Sequence, residues 1–338
     1  MMRELKILAI VVTFTLITYY LVEPFAHSQM HKHVEFRNFQ YDGKSDIEEV
    51  EHKIKVAKAN NEPTKELEKK LEEKKKFWSE VDKISKIKGD PVAGEGTYAM
   101  CQGCHFDGAT NMGGVTPPSL EHAGALYDKK YLIALVKDPA MAMNVDHKYK
   151  DDSMHPMGAI MSMVSSDQDI ANVVAYLKEK KAGKMDATEA FVEACGRCHA
   201  DRYMKWTQVG FVPKTKENIK TGQDIEALKF KQKVAEEQNA LADYLGKLPP
   251  DLSIIVRARS EHFLKTFVED PQTQLPGTAM PRVGLTKESY EKVNEFLEDS
   301  GDAKRHERAE LGPIVLVYLL IFALFAYLWK REVWRDLH

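Results

Sequence analysis

Two short runs of one plan carry the chemistry of this sequence: Cys101-Gln102-Gly103-Cys104-His105 and Cys195-Gly196-Arg197-Cys198-His199. Thiols at this spacing lie one helical turn apart, close enough to add to the two vinyl groups of one porphyrin. The histidine that follows then lies beneath the ring and presents a nitrogen to the iron. A redox dithiol or a zinc site would use the Cys-x-x-Cys part but gives no reason for the adjacent histidine. The two runs contain all 4 cysteines of the chain, which argues against a disulfide framework. The spacing predicts two covalently bound haem c groups, attached through Cys101 and Cys104 and through Cys195 and Cys198. His105 and His199 are the expected axial ligands.

A closed electron-transfer haem needs a sixth ligand, and methionine raises its potential relative to a second histidine. Leu275-Pro276-Gly277-Thr278-Ala279-Met280-Pro281 reads as a rigid loop before a helix over 287–298 capped by Thr286. Met280 has no rival methionine nearby and is the expected ligand of the second haem. The first segment is crowded, with Met154, Met157, Met161 and Met163 ahead of a helix starting near Ser166. Ser166 and Asp169 have capping-box spacing. Only one methionine can bind iron, so the others fill space around it. Met157, after His155-Pro156, is the first choice, and Met161 and Met154 remain open. His155, His122 and His147 read as surface or loop residues.

These motifs need elements to carry them. The chain has 338 residues, 43% hydrophobic and 29% charged, with a formal charge of -3. That excludes wholesale disorder and a polytopic membrane protein, and it leaves no electrostatic footprint for nucleic acid. Ile7 to Val22 is free of charge and reads as a membrane anchor, with a cleaved signal peptide ending near Ala26-His27-Ser28 as the alternative. Leu311 to Trp329 is long enough to span a bilayer, and Lys330, Arg331 and Arg335 follow it. Between the two, residues 46–88 show helical spacing in two stretches broken at Asn60-Asn61-Glu62-Pro63, a helical hairpin. Thr64 is the expected cap of its second helix, and Lys74-Lys75-Lys76 reads as a solvated face among glutamates. Two segments of related plan follow, joined by a linker around 181–187. Each has a short helix with the attachment run, then a methionine loop, then an amphipathic helix. No nucleophile or acid–base constellation suggests bond-making catalysis.

The segment from about 90 to 182 resembles a class I cytochrome c in Gln102-Gly103-Cys104-His105, in Pro117-Pro118-Ser119-Leu120 and in the helix Asp169 to Leu177. That resemblance implies that Pro118 helps to orient the haem histidine. Leu248-Pro249-Pro250-Asp251-Leu252-Ser253-Ile254-Ile255-Val256-Arg257-Ala258-Arg259 resembles the signature of cytochrome c1, the haem subunit of the cytochrome bc1 complex. Here it implies a haem-supporting role for Pro250 and a propionate contact for Arg259. A single C-terminal anchor followed by basic residues and tryptophan is also similar to that family. The glycine-rich continuation after the second arginine is replaced by Ser260-Glu261-His262-Phe263, and the N-terminal anchor, the hairpin and the extra haem domain depart from the ordinary family.

The whole is similar to the dihaem cytochrome c1-type subunit of some bacterial quinol:cytochrome c oxidoreductases. The expected fold is mainly α, with two cytochrome c-like haem domains between an N-terminal and a C-terminal transmembrane helix. The expected divisions are an anchor at 1–28, a hairpin at 29–88, a first cytochrome c domain at 89–183, a c1-like domain at 184–304 and a C-terminal helix with a basic tail at 305–338. The resemblance implies electron transfer beside cytochrome b, from a Rieske iron-sulfur subunit to a downstream cytochrome c or terminal oxidase. Basic outer flanks imply an inner-membrane protein with both termini cytoplasmic and the haem domains periplasmic. A haem-bearing subunit of a haem-copper oxidase and a dihaem peroxidase-like enzyme are the alternatives.

Overall fold

The computed structural model describes residues 2–30, 35–106, 109, 115–149, 154–213 and 225–335. The start of the hairpin segment at 31–34 and the last three residues of the basic tail lie outside them. The fold is mainly helical, and the described strands are a two-residue antiparallel pair, Trp206–Thr207 with Gly210–Phe211.

The N-terminal stretch is helical from Met2 to Ile17, passes through a π-turn at Thr18–Val22 and continues as Glu23–Met30. Its threonines would be costly on an apolar helix if their hydroxyls went unpaired. Thr13, Thr15 and Thr18 each donate to the carbonyl four residues back, at 2.8, 2.9 and 2.9 Å. The C-terminal helix runs Arg305–Arg335 and tolerates Pro313 near its start. Both helices are long and apolar enough to cross a membrane, over Arg3–Ala26 and Glu307–Arg335, and neither span is buried against the rest of the chain.

The chain packs as two compact units. The first comprises residues 1–185, 244–246 and 261–290; the second comprises 186–243, 247–260 and 291–338. The break at 185 falls in the expected linker. Residues 261–290, which the sequence reading assigns to the second haem domain, pack with the first unit.

In the first unit the hairpin is Lys44–Ala59 and Lys65–Ser85, turned at Asn61 with φ 57. Gly43 precedes it at φ +77, and a Cβ there would run into the indole of Trp78, so the entry to the hairpin needs glycine. Thr64 sits at the cap position, but its hydroxyl donates to Glu68 at 3.1 Å rather than accepting a backbone N–H. Lys74 corrects the reading of a solvated basic face, because it is 1% exposed. It lies on the stripe with Phe77, Trp78, Val81 and Ile84, the buried side of its helix.

The helix Pro91–Cys101 starts on Asp90, whose carboxylate accepts from Val92 N at 2.9 Å, with proline in the first turn. It crosses the helix Asp167–Lys180 so closely that a Cβ on Gly94 would overlap the carbonyl of Asn172. Asn172 answers by accepting from Asp90 N at 2.8 Å, and the rings of Tyr98 and Tyr176 pack 4.8 Å apart. Ser166 occupies the cap position of Asp167–Lys180 as expected, but its hydroxyl makes no cap bond. Between these helices, Asp128 caps Lys129–Lys137 through Lys130 N at 2.8 Å and Tyr131 N at 3.1 Å.

In the second unit a full capping box starts Ala187–Ala194, with Asp186 and Glu189 exchanging bonds of 2.8 Å each. Phe191 stacks on Phe296 with centroids 4.2 Å apart. The helix carrying Phe296 runs Lys287–Asp302, longer than expected, and Thr286 caps it by accepting from Ser289 N at 3.1 Å.

Candidate functional site

Both attachment runs lie where a helix ends, and both tighten in the same way. His105 N donates to Cys101 O at 2.9 Å, and His199 N donates to Cys195 O at 2.9 Å. Cys104 N and Cys198 N each donate to the first cysteine's carbonyl at 3.1 Å. The same backbone turn therefore spans two cysteines and a histidine, twice. All four cysteines carry free thiols. Burial pushes the Cys195 thiol up to about 12 and raises those of Cys198 and Cys101. A redox dithiol needs the opposite shift. Among the described residues no group of three or more His, Cys, Asp or Glu side chains could hold a metal ion, which leaves zinc without a ligand set there.

The histidines settle their own tautomers. His105 Nδ1 lies 2.8 Å from the carbonyl of Pro118, and His199 Nδ1 lies 2.8 Å from the carbonyl of Pro250. A carbonyl only accepts, so each Nδ1 carries the proton and each Nε2 keeps a lone pair for a metal. This fits an axial haem ligand, and both prolines are the ones expected to support the haem. Pro250 stands in a loop tied back to its motif by Leu252 N donating to Ala200 O at 2.9 Å.

In the first unit Met154 is 61% exposed and Met163 50% exposed, while Met157 and Met161 are half-buried. Met157 N donates to His155 Nδ1 at 3.0 Å. His155 lies in a loop, one of its two expected settings, and is buried there at 7% exposed. Burial, with Lys148 adding to it, lowers its imidazole to about 4. His147 is exposed and His122 half-buried. Arg259 is exposed in the second unit, and its neighbour Arg257 pairs with Asp302 at 3.0 Å.

Met280 is half-buried and belongs to the first unit, His199 to the second. The loop around Met280 is braced by a residue the sequence reading missed. Gln272, 5% exposed, accepts from Gly277 N at 2.8 Å and donates to Thr278 O at 2.8 Å. Met280 N donates to Thr278 Oγ1 at 3.2 Å. Arg282 follows two residues later and is 3% exposed. A basic residue next to an expected ligand, in a loop rich in proline and glycine, was the signal available for it.

The chain matches the cytochrome c family over residues 91–181. These residues form a cytochrome c domain. The cytochrome c domain thus spans the attachment helix, Pro118, the methionine loop and the closing helix, and its family membership implies covalently bound haem c. Over 197 residues the chain is 28% identical to a protein named ammonia monooxygenase gamma subunit from Nitrosomonas europaea, covering 44% of this chain and 81% of that one. It is 24% identical over 201 residues to cytochrome c1 from Allochromatium vinosum, covering 44% of this chain and 82% of that one. This agrees with the cytochrome c1 resemblance read from residues 248–259. A chain of a hyperthermophilic respiratory Complex III matches with TM-score 0.34 and 25% identity, over 45% of this chain and 75% of that one.

Proposed function

We propose that this chain is the membrane-anchored dihaem cytochrome c subunit of a quinol:cytochrome c oxidoreductase. In this reading it stands beside cytochrome b, receives electrons from a Rieske iron-sulfur subunit and delivers them to a downstream cytochrome c or terminal oxidase. The observation that carries the dihaem reading is the repetition of one geometry: at both attachment runs a histidine gives its Nδ1 proton to a proline carbonyl 2.8 Å away. The similarity to cytochrome c1 supports the assignment to such a complex.

Bound haem c supplies reversible one-electron chemistry at iron. The residues of this chain hold and tune it. Cys101 and Cys104, and Cys195 and Cys198, form the thioether links. His105 and His199 are the proximal ligands, fixed in one tautomer by Pro118 and Pro250. Met157 and Met280 supply the sixth ligands, and Arg259 meets a propionate. The first haem domain is 89–183 and the c1-like domain 184–304. Both anchors stay in the inner membrane, with the termini cytoplasmic and the haem domains periplasmic, where covalent haem attachment takes place.

The deciding experiment is purification of the detergent-solubilised complex with its subunits identified and its haem counted by pyridine haemochrome. Two haems per polypeptide, together with cytochrome b and a Rieske subunit, are expected. One haem per chain sinks the dihaem reading. A second reading, favoured by the 28% identity to the Nitrosomonas europaea protein, places the chain with an ammonia monooxygenase. Copurification with a monooxygenase in place of cytochrome b would select it.

A further inference from the structure

Five side chains in the first unit form a closed ring of buried polar contacts. The Arg282 guanidinium pairs with Asp46 and, at 2.6 Å, with Asp270. Asp270 accepts from Asn144 Nδ2 at 3.2 Å, and Asn144 Oδ1 accepts from Lys74 Nζ at 2.9 Å. Lys74 lies 3.7 Å from Asp46, which closes the ring, and Trp78 Nε1 donates to Asp46 at 2.9 Å. None of the five is more than 5% exposed. Two carboxylates balance two cations, so the ring is neutral as a whole. Buried ion pairs of this kind add little stability over well-packed apolar residues, but they fix position.

The ring joins three parts of the sequence. Asp46 and Lys74 come from the two helices of the hairpin, Asn144 from the cytochrome c domain, and Asp270 and Arg282 from either side of Met280. A second set of contacts runs along the same seam. Glu269 accepts the backbone N–H of Phe39 and, at 2.8 Å, that of Arg37. Tyr41 donates to Leu285 O at 3.1 Å, and the rings of Phe39 and Tyr290 lie 4.9 Å apart. Arg282 is also held by its backbone: its N donates to Met143 O at 2.9 Å, and its carbonyl accepts from Tyr131 at 2.8 Å. Gln272 holds the loop on its N-terminal side and Arg282 on its C-terminal side. A hairpin that only spaced the domain from the membrane would have no use for this ring.

We propose that the hairpin, with residues 37–43 leading into it, is a clasp that positions Met280 through Arg282. The inference rests on reading Met280 as an iron ligand. Asp46, Asp270, Lys74 and Arg282 are then positioning residues. Loosening the clasp releases the methionine from iron without removing any ligand.

The test uses the full-length, haem-loaded protein in detergent. Its readouts are the methionine-to-iron absorption band and the reduction potentials of the haems. Asp46→Asn and Glu269→Gln are compared with Met280→Ala and with Lys75→Gln, an exposed position on the helix that carries Lys74. Asp46→Asn should shift the ratio of bound to released methionine by about tenfold, since it leaves Arg282 short of one buried partner. One haem then loses band intensity and potential, Glu269→Gln does so to a smaller degree, and Lys75→Gln changes neither. If Met280→Ala removes its share of the band while both clasp variants keep band and potentials, the clasp is wrong and the ligand stands. If Met280→Ala leaves the band whole, the ligand reading falls and the clasp falls with it. Should Asp46→Asn fail to accumulate, Glu269→Gln decides by the same two readouts.

Discussion

His105 and His199 each donate one ring N–H to a proline carbonyl, which makes Nε2 the unprotonated nitrogen of the ring. Such a second contact sets ring orientation and ligand basicity together. The methionines proposed for the sixth position in the cytochrome c domain differ in burial. Met154 and Met163 are largely exposed, so replacing either by leucine should leave the spectrum unchanged. Met157→Ala should remove one haem's share of the methionine-to-iron band and lower that haem's potential, as read by redox titration. An intact band in that variant would transfer the role to Met161. Asp46 gives a pH prediction at the same scale. Burial alone would raise its carboxyl, but Arg282 and Lys74, with the Trp78 N–H, hold it well below the usual range. The unfolded chain takes up this proton near ~3.9 while the folded chain still refuses it. The stabilisation is therefore present above that pH and fades as the pH falls further, because the unfolded state binds more protons. Asp46→Asn should flatten the acid limb of the thermal-unfolding profile. At neutral pH it should cost toward the low end of about 3–5 kcal/mol, since Asp270 still pairs with Arg282.

Two elements meet in the cytochrome c domain without room for a methyl group, the attachment helix Pro91–Cys101 and the closing helix Asp167–Lys180. Gly94→Ala would press on the Asn172 carbonyl, a backbone atom that cannot swing aside. Overpacking of this sort costs about 1–3 kcal/mol. The melting temperature of the loaded protein should fall by several degrees in circular dichroism, with haem content and ligand bands preserved. An unchanged melting curve would mean that the helices separate more easily than their crossing suggests. The hairpin contrasts with this crossing, since its inner face carries Asp46 and Lys74 among apolar side chains.

At the scale of the whole molecule, the two apolar helices frame everything else. Their lengths suit a bilayer, and the threonine hydroxyls of the first, at Thr13, Thr15 and Thr18, each donate to a carbonyl of their own helix. With both outer flanks basic, export-dependent reporters should be active when fused after Lys88 or Gly183 and silent when fused after His338. Activity of the last fusion would reverse the proposed topology.

Spacing along the chain was enough to find the attachment runs, both apolar spans, the hairpin break and the cap at Thr286. Each is a local rule, written within a few residues of where it acts. The ring around Arg282 obeys no local rule. Lys74 sits in Lys74-Lys75-Lys76 and reads as one more surface lysine. Its burial depends on Asn144 and Asp46, 70 and 28 positions away in sequence. The same holds for His155, whose neighbours in sequence say loop while packing takes it out of water. Which unit the Met280 segment joins was likewise a matter of long-range contacts. Charge and periodicity describe a helix face, but only the fold chooses the partner that face meets.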